Sequence, residues 1–300
     1  MATKITLLDG GMGRELKRIG APFRQPEWSA LALLQAPDFV ARAHQAFVTA
    51  GADVITTNSY ALVPFHLGEE RFAAQGEAMA GLAGRIAREV ATHAGRDVAV
   101  AGSLPPLFGS YRPDLYEDSR AQEILAPLVA GLEPYVDHWL VETQSAIAEI
   151  EAAAIGLRRS AKPVWFSFTL EDGAADAQTK PRLRSGELVS AAVKRAVDLQ
   201  AAAVLFNCSQ PEVMGPAIDA ARAALASATS TKIGVYANAF PPQPKDTEAN
   251  ATLHEVRTDL DPAGYVGFTE DWIRRGATIV GGCCGIGPEH IAAMRSKIDA

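Results

Sequence analysis

The sequence has few cysteines, no excess of positive charge and no long apolar run. Three cysteines in 300 residues, an odd number, give no disulfide framework for a small stapled fold. Lys and Arg number 28 against 35 Asp and Glu, a formal net charge of −7. An acidic chain repels phosphate backbones and anionic lipid, so no nucleic-acid or membrane partner is expected. No apolar stretch reaches the ~18 residues of a membrane helix. The opening MATKITLLDGGMG lacks a signal-peptide core of roughly 7–15 apolar residues, and a cytoplasmic protein is expected. Low-complexity segments and short-period repeats are also missing.

What is present is ordinary globular material, 48% hydrophobic and 21% charged, enough for a sizeable core. Short β-branched runs alternate with longer Ala-rich segments. The runs predict strands over Ile5–Asp9, Asp53–Asn58, Val98–Ser103, His138–Glu142, Val164–Thr169, Ala203–Asn207, Ile233–Asn238 and Thr278–Gly282. Each is nearly continuous in apolar residues, as a strand covered on both faces should be. Helical periodicity falls between them, over Asp38–Ala50, Gly76–Ala94, Ala121–Tyr135, Ala146–Ser160, Ser185–Leu199 and Pro211–Ala226. Pro37 and Ser185 read as helix starts. Eight strands, each followed by helix and with no linker, predict an α/β fold, a single (β/α)8 TIM barrel over residues 1–300. A doubly wound sheet is the rival, and usually has fewer strands. Two connections are long, 105–119 after strand three and 240–262 after strand seven. Both follow strand C-termini, the side on which barrel active sites lie.

The strand ends carry Asp9, Asn58, Ser103, Glu142, Thr169, Asn207 with Cys208, Asn238, and Cys283 with Cys284. Short polar residues also begin turns and helices. The presence of all three cysteines among them is harder to explain that way. Cys208 ends strand six and the Cys283–Cys284 pair ends strand eight, one strand apart in a ring. Their sulfurs could share a thiophilic ion such as Zn2+, with a fourth position left open as in catalytic zinc sites. Gly281, Gly282 and Gly285 would allow the backbone to aim both sulfurs of the pair. Other readings stay open: Cys208 as a small buried hydrophobe, the pair as a vicinal disulfide, or the glycine-rich loop as a phosphate cradle, which Glu289 opposes. A Schiff-base barrel would need a lysine at a strand end, whereas Lys162 and Lys232 precede their strands.

The segments DGGMGREL (9–16), EWSA (27–30), AGADVITTNSY (50–60), VETQSAIAE (141–149), FNCSQPE (206–212) and GGCCGIGPEHI (281–291) together resemble the homocysteine S-methyltransferase family. The likeness runs from residue 5 to about 295, in the family's motif order. It implies a zinc-dependent barrel that moves a methyl group from an onium donor to homocysteine, as in methionine biosynthesis. The cysteines matching Cys208, Cys283 and Cys284 bind zinc in that family. Those matching Asp9 and Glu142 help to hold the amino acid. Gly10 and Gly11 are expected to bring backbone N–H groups to the substrate carboxylate. Asn58, Asn207 and Tyr60 are expected near the pocket by position alone. Phe108, Tyr111 and Tyr116 on the third loop could face a cationic donor, or simply pack on the rim. His138, at the opposite end of its strand, is expected to be structural.

Three segments depart from the family pattern. DGGMG is commonly followed by threonine, here by Arg14. Many sulfonium-using members carry a glycine- and glutamate-rich stretch after strand three, where this chain has SLPPLFGSYRPDLYED. The turn after strand seven is commonly NSG-like and here is NAF, Asn238–Phe240. These segments would frame the donor. The length leaves no room for folate and cobalamin modules, and the C-terminal extension usual in betaine-using relatives is lacking. A sulfonium donor, S-methylmethionine or S-adenosylmethionine, is therefore expected. Betaine or another methylated zwitterion is the alternative, and a non-catalytic metal- or amino-acid-binding barrel is a further one. A homo-oligomer is left open.

Overall fold

Every predicted strand forms. The computed structural model describes residues 4–173, 176–177, 179–225, 230–242 and 256–300. The strands are β1 (Thr6–Leu7), β2 (Val54–Thr56), β3 (Ala99–Leu104), β4 (His138–Gln144), β5 (Val164–Phe168), β6 (Ala203–Asn207), β7 (Lys232–Ala237) and β8 (Ile279–Gly282). All pair in parallel, in the order β1-β8-β7-β6-β5-β4-β3-β2. A parallel bridge between Leu8 and Val54 joins the two ends of that order. The result is the expected (β/α)8 barrel.

The helices are α1 (Met12–Arg18), α2 (Ala30–Gln35), α3 (Pro37–Thr49), α4 (Pro64–Leu67), α5 (Glu69–Thr92), α6 (Asp118–Leu132), α7 (Ile147–Leu157), α8 (Val189–Asp198), α9 (Pro211–Leu225), α10 (Pro262–Arg275) and α11 (Pro288–Ile298). Two apolar layers explain the strand pattern. Leu8, Val54, Ala101, Leu140, Leu205 and Ile279 fill the barrel interior, while Leu7, Ile55, Val100, Val141, Val204 and Val280 pack outward under the helices. Strand residues of both parities are therefore buried, and no polar alternation survives.

One helix start differs from expectation. Ser185 does not cap α8, which begins at Val189 after Leu188. Antiparallel bridges Leu170–Leu183 and Arg182–Leu188 form a small hairpin there. The Ser185 hydroxyl donates to Glu187 within its turn, at 2.6 Å. Helix α5 begins at Glu69, before the expected Gly76. Ala226 and most of the 240–262 connection lie outside the described residues. No described helix is long and apolar enough to cross a membrane. His138, at the start of β4, is buried against Trp165 with ring centroids 3.9 Å apart. Burial pushes its pKa down to about 4, as suits a neutral packing residue.

Candidate metal and substrate site

The C-terminal ends of the strands open into one pocket. Asp9, Arg14, Trp28, Thr56, Tyr111, Glu142, Tyr236, Phe240 and the three cysteines are among the residues lining it. Cys208, Cys283 and Cys284 meet there from β6 and β8, their sulfurs all within 4.8 Å of one another. Cys208 adopts a left-handed backbone (φ 54°), which turns the chain as it leaves β6. Trp28, Tyr111 and Thr143 are also left-handed (φ 53°, 67° and 61°). Three of these four residues line the pocket and the fourth follows Glu142, whereas a fifth left-handed residue, Gln200 (φ 61°), stands apart after α8. Strain gathered at one place marks a site the rest of the fold holds in shape.

The donor set fits a thiophilic ion. Zn–S bonds of about 2.3 Å imply tetrahedral S···S edges of about 3.8 Å. Cys208 and Cys284 stand 3.9 Å apart. Cys208 and Cys283 are closer, at 3.0 Å, and would separate slightly around an ion. The thiols titrate as a unit. Hydrogen bonds from Cys208 and Cys283 pull Cys284 well below the ordinary thiol range. Cys283 is pushed well up, first by its bond to Cys208. A thiophilic cation bound by the three sulfurs would displace their protons.

Two carboxylates share the pocket. Asp9, after β1, accepts from the Thr56 backbone N–H (2.7 Å) and hydroxyl (3.0 Å). Glu142, in β4, accepts from Ser103 Oγ at 2.5 Å and lies 3.4 Å from the Tyr236 hydroxyl. Burial lifts both to about 7, against the pull of those donors. A buried carboxylate without a cation is costly, so both are poised to receive one.

Gly10 and Gly11 line the pocket, and both are packed closely. A Cβ on Gly10 would lie 2.3 Å from the Ile286 carbonyl oxygen, and one on Gly11 2.7 Å from that of Cys283. The Gly11 N–H donates to Ile286 at 2.9 Å and so is already occupied. DGG is needed for close packing of the first βα turn onto the GGCCG turn. Asn58 and Asn207 are buried but do not line the pocket. Asn58 donates to the Ser29 carbonyl at 3.2 Å, bracing the Trp28 segment. Asn207 accepts from the Thr143 N–H (2.9 Å) and Ser167 (2.7 Å), and donates to the Thr143 hydroxyl (2.8 Å). It holds the left-handed turn directly after Glu142. Tyr60 lines the pocket and hydrogen-bonds Ser110 at 2.5 Å.

Of the third-loop aromatics, Tyr111 alone reaches the pocket. Its hydroxyl donates to the Cys208 carbonyl at 2.8 Å. Arg184 stacks on its ring at 4.0 Å, so this aromatic face already serves a cation. Phe108 and Tyr116 pack edge to face against each other. Trp28 and Thr56 lie within the family-like segments 27–30 and 50–60 without being singled out, and Tyr236 stands in an ordinary apolar strand.

A parallel barrel whose strand ends bring three thiols and two buried carboxylates into one pocket has the make-up of an enzyme site that could hold a metal ion. A sequence model of the homocysteine S-methyltransferase family matches residues 6–298, and the chain belongs to that family. The homocysteine S-methyltransferase of Escherichia coli K12 is 30% identical over 311 residues, covering 98% of this chain and 95% of its own. A selenocysteine Se-methyltransferase of Brassica oleracea var. italica is 26% identical, covering 97% and 88%. The crystal structure of the E. coli homocysteine methyltransferase MmuM in its metallated form matches with a TM-score of 0.78 at 27% identity, covering 99% and 97%.

Proposed function

We propose that this enzyme transfers a methyl group from a sulfonium donor, S-methylmethionine or S-adenosylmethionine, to homocysteine, giving methionine. The observation that carries the reading is the meeting of three thiols with two buried carboxylates in one pocket. Cys208, Cys283 and Cys284 would hold Zn2+. When bound, the metal lowers the pKa of a substrate thiol, so that homocysteine reacts as a thiolate at neutral pH.

Asp9 and Glu142 bind the ammonium group of homocysteine, and each gains the cation that its burial demands. Thr56, Ser103 and Tyr236 orient the two carboxylates through the hydrogen bonds described. Asn207 is a positioning residue, acting on Glu142 through Thr143. Trp28, Tyr111 and Phe240 wall the pocket and keep water from the reacting sulfur. A new S–C bond forms at the homocysteine sulfur as the donor's S–C bond breaks. No residue has to protonate the leaving group, because a sulfonium departs as a neutral thioether. Residues 1–300 are read as one barrel domain. Three thiols in contact suit a reducing, cytoplasmic setting.

The test is methionine formation from homocysteine with S-methylmethionine, S-adenosylmethionine or betaine carrying deuterated methyl groups. Labelled methionine from a sulfonium is the expected result. None from any of the three would overturn the reading. A pH prediction accompanies it. An ammonium group binds the ionised carboxylates, and their pKa values in the free protein are about 7. Affinity for methionine, which has the ammonium but no thiol proton, should therefore fall below pH 7. The expected slope is about tenfold per pH unit for each carboxylate that must lose its proton. Calorimetry between pH 5.5 and 8 reads this directly, and a flat profile would contradict the ammonium assignment.

A further inference from the structure

A buried ion pair stands behind the thiols. Arg184 lies in the hairpin after β5 and pairs with Asp172 at 3.3 Å, the two side chains 4% and 0% exposed. Neither residue lines the pocket. The cost of taking both charges out of water offsets most of their attraction, so the pair adds little net stability. What it does is hold its neighbours. The guanidinium lies over the Tyr111 ring, 4.0 Å from its centre, and its Nε donates to the Thr169 hydroxyl at 3.3 Å. Asp172 accepts from the Gln210 N–H at 3.2 Å.

Both arms of the pair end on the turn that carries Cys208. Tyr111, under the guanidinium, donates its hydroxyl to the Cys208 carbonyl at 2.8 Å. Gln210 is two residues further on. Between them, Ser209 Oγ accepts from the Leu170 N–H at 2.8 Å. Cys208 needs such support, because its backbone is left-handed (φ 54°), where a residue with a side chain is strained. Tyr111 is left-handed too (φ 67°). Cys283 and Cys284 come together from the turn after β8, whereas Cys208 alone follows β6. The place of its sulfur relative to the other two therefore depends on this turn, and partners behind a ligand commonly set its orientation.

We propose that Arg184, with Asp172, is a positioning residue that acts through Tyr111 on the Cys208 turn and sets the place of the third sulfur for the metal ion. The proposal rests on the metal reading of the thiols given above and not on the identity of the methyl donor. Arg184→Lys keeps the charge beside Asp172 but has no planar face to lie on Tyr111. Tyr111→Phe keeps the ring and loses the hydroxyl that reaches Cys208.

The experiment measures Zn2+ affinity by competition with a chelator. After exchange to Cd2+ it also reads the ultraviolet thiolate-to-cadmium charge-transfer band, which grows with the number of bound thiolates. Arg184→Lys and Tyr111→Phe are each expected to weaken Zn2+ binding by about tenfold or more, the size usual for partners behind a ligand, and to reduce the cadmium band. The double variant should bind no more weakly than the weaker single one, because both act along one route. Unchanged affinity and band in either single variant overturn the proposal, and losses that multiply in the double variant overturn the route through Tyr111. A lowered melting temperature with full Zn2+ affinity marks a purely structural pair and also overturns it. Should Arg184→Lys fail to fold, Arg184→Met combined with Asp172→Asn removes both charges at once and carries the same expectations. A wild type that holds neither Zn2+ nor Cd2+ defeats the metal reading and the proposal with it. A wild type that holds the ion but forms no methionine defeats only the reaction reading.

Discussion

Replacing Cys208 by serine is expected to lower methionine formation by at least about a thousandfold and leave the barrel folded. An unassisted thiol of pKa about 8.5 is only a few per cent ionised at pH 7, which alone removes about 30-fold. Loss of a fixed position for the substrate sulfur removes the rest. The fold should survive because residue 208 is held by its backbone. Its N–H donates to Tyr236 at 3.3 Å and its carbonyl accepts from Tyr111 at 2.8 Å. Serine fits the same backbone and nearly the same volume. Circular dichroism and the melting temperature separate the two effects. Global unfolding of the variant would show that Cys208 is a structural residue, and retained activity would remove the thiol trio from the mechanism.

The second large effect is at Glu142. Glu142→Gln should raise the homocysteine KM by about 10- to 100-fold with a smaller change in kcat, the size expected for a lost charge-assisted contact. The exchange keeps the shape of the side chain beside Ser103 and Tyr236. It also has an opposite effect on the substrate-free protein. Burial raises the Glu142 pKa to about 7, so the stability linked to its protonated form is complete below the unfolded value near 4.5. That stability is lost as pH rises through about 7. Glutamine does not ionise, so at pH 8 the variant should unfold at a temperature equal to or above the wild type's. An unchanged KM for homocysteine would take Glu142 out of substrate binding. A variant less stable at pH 8 would show that its burial is compensated by contacts yet to be found.

How far the sequence could be read depends on the kind of signal each residue leaves. The eight strands were legible because burial on both faces makes each a continuous apolar run, and their order follows from right-handed crossovers. The thiols were legible because cysteine is scarce here and all three stand at strand ends beside glycine. Asp9 and Glu142 were named from strand ends and motif likeness, and the structure places both in the pocket with the thiols. Asn58 and Asn207 had the same strand-end signature but are engaged in hydrogen bonds to the Ser29 carbonyl and to Thr143 that brace the pocket's walls. Sequence position does not separate these cases, because one residue of strand register turns a side chain from mouth to wall. Thr56 and Tyr236 act only through their distance to a carboxylate, which no local pattern encodes, whereas Ser103 carried the strand-end signature but not its partner. The left-handed backbone of Trp28 is equally hidden, since local preference argues against it. The hairpin over Arg182–Leu188 overrode a sound capping signal at Ser185 through pairing with its own neighbours.

The three thiols that follow β6 and β8 are proposed to hold the metal on which the chemistry depends. Elemental analysis of protein purified under reducing conditions tests it most directly. About one zinc per chain, lost in Cys208→Ser, is the expected result. No zinc after reconstitution with all three thiols intact would contradict it.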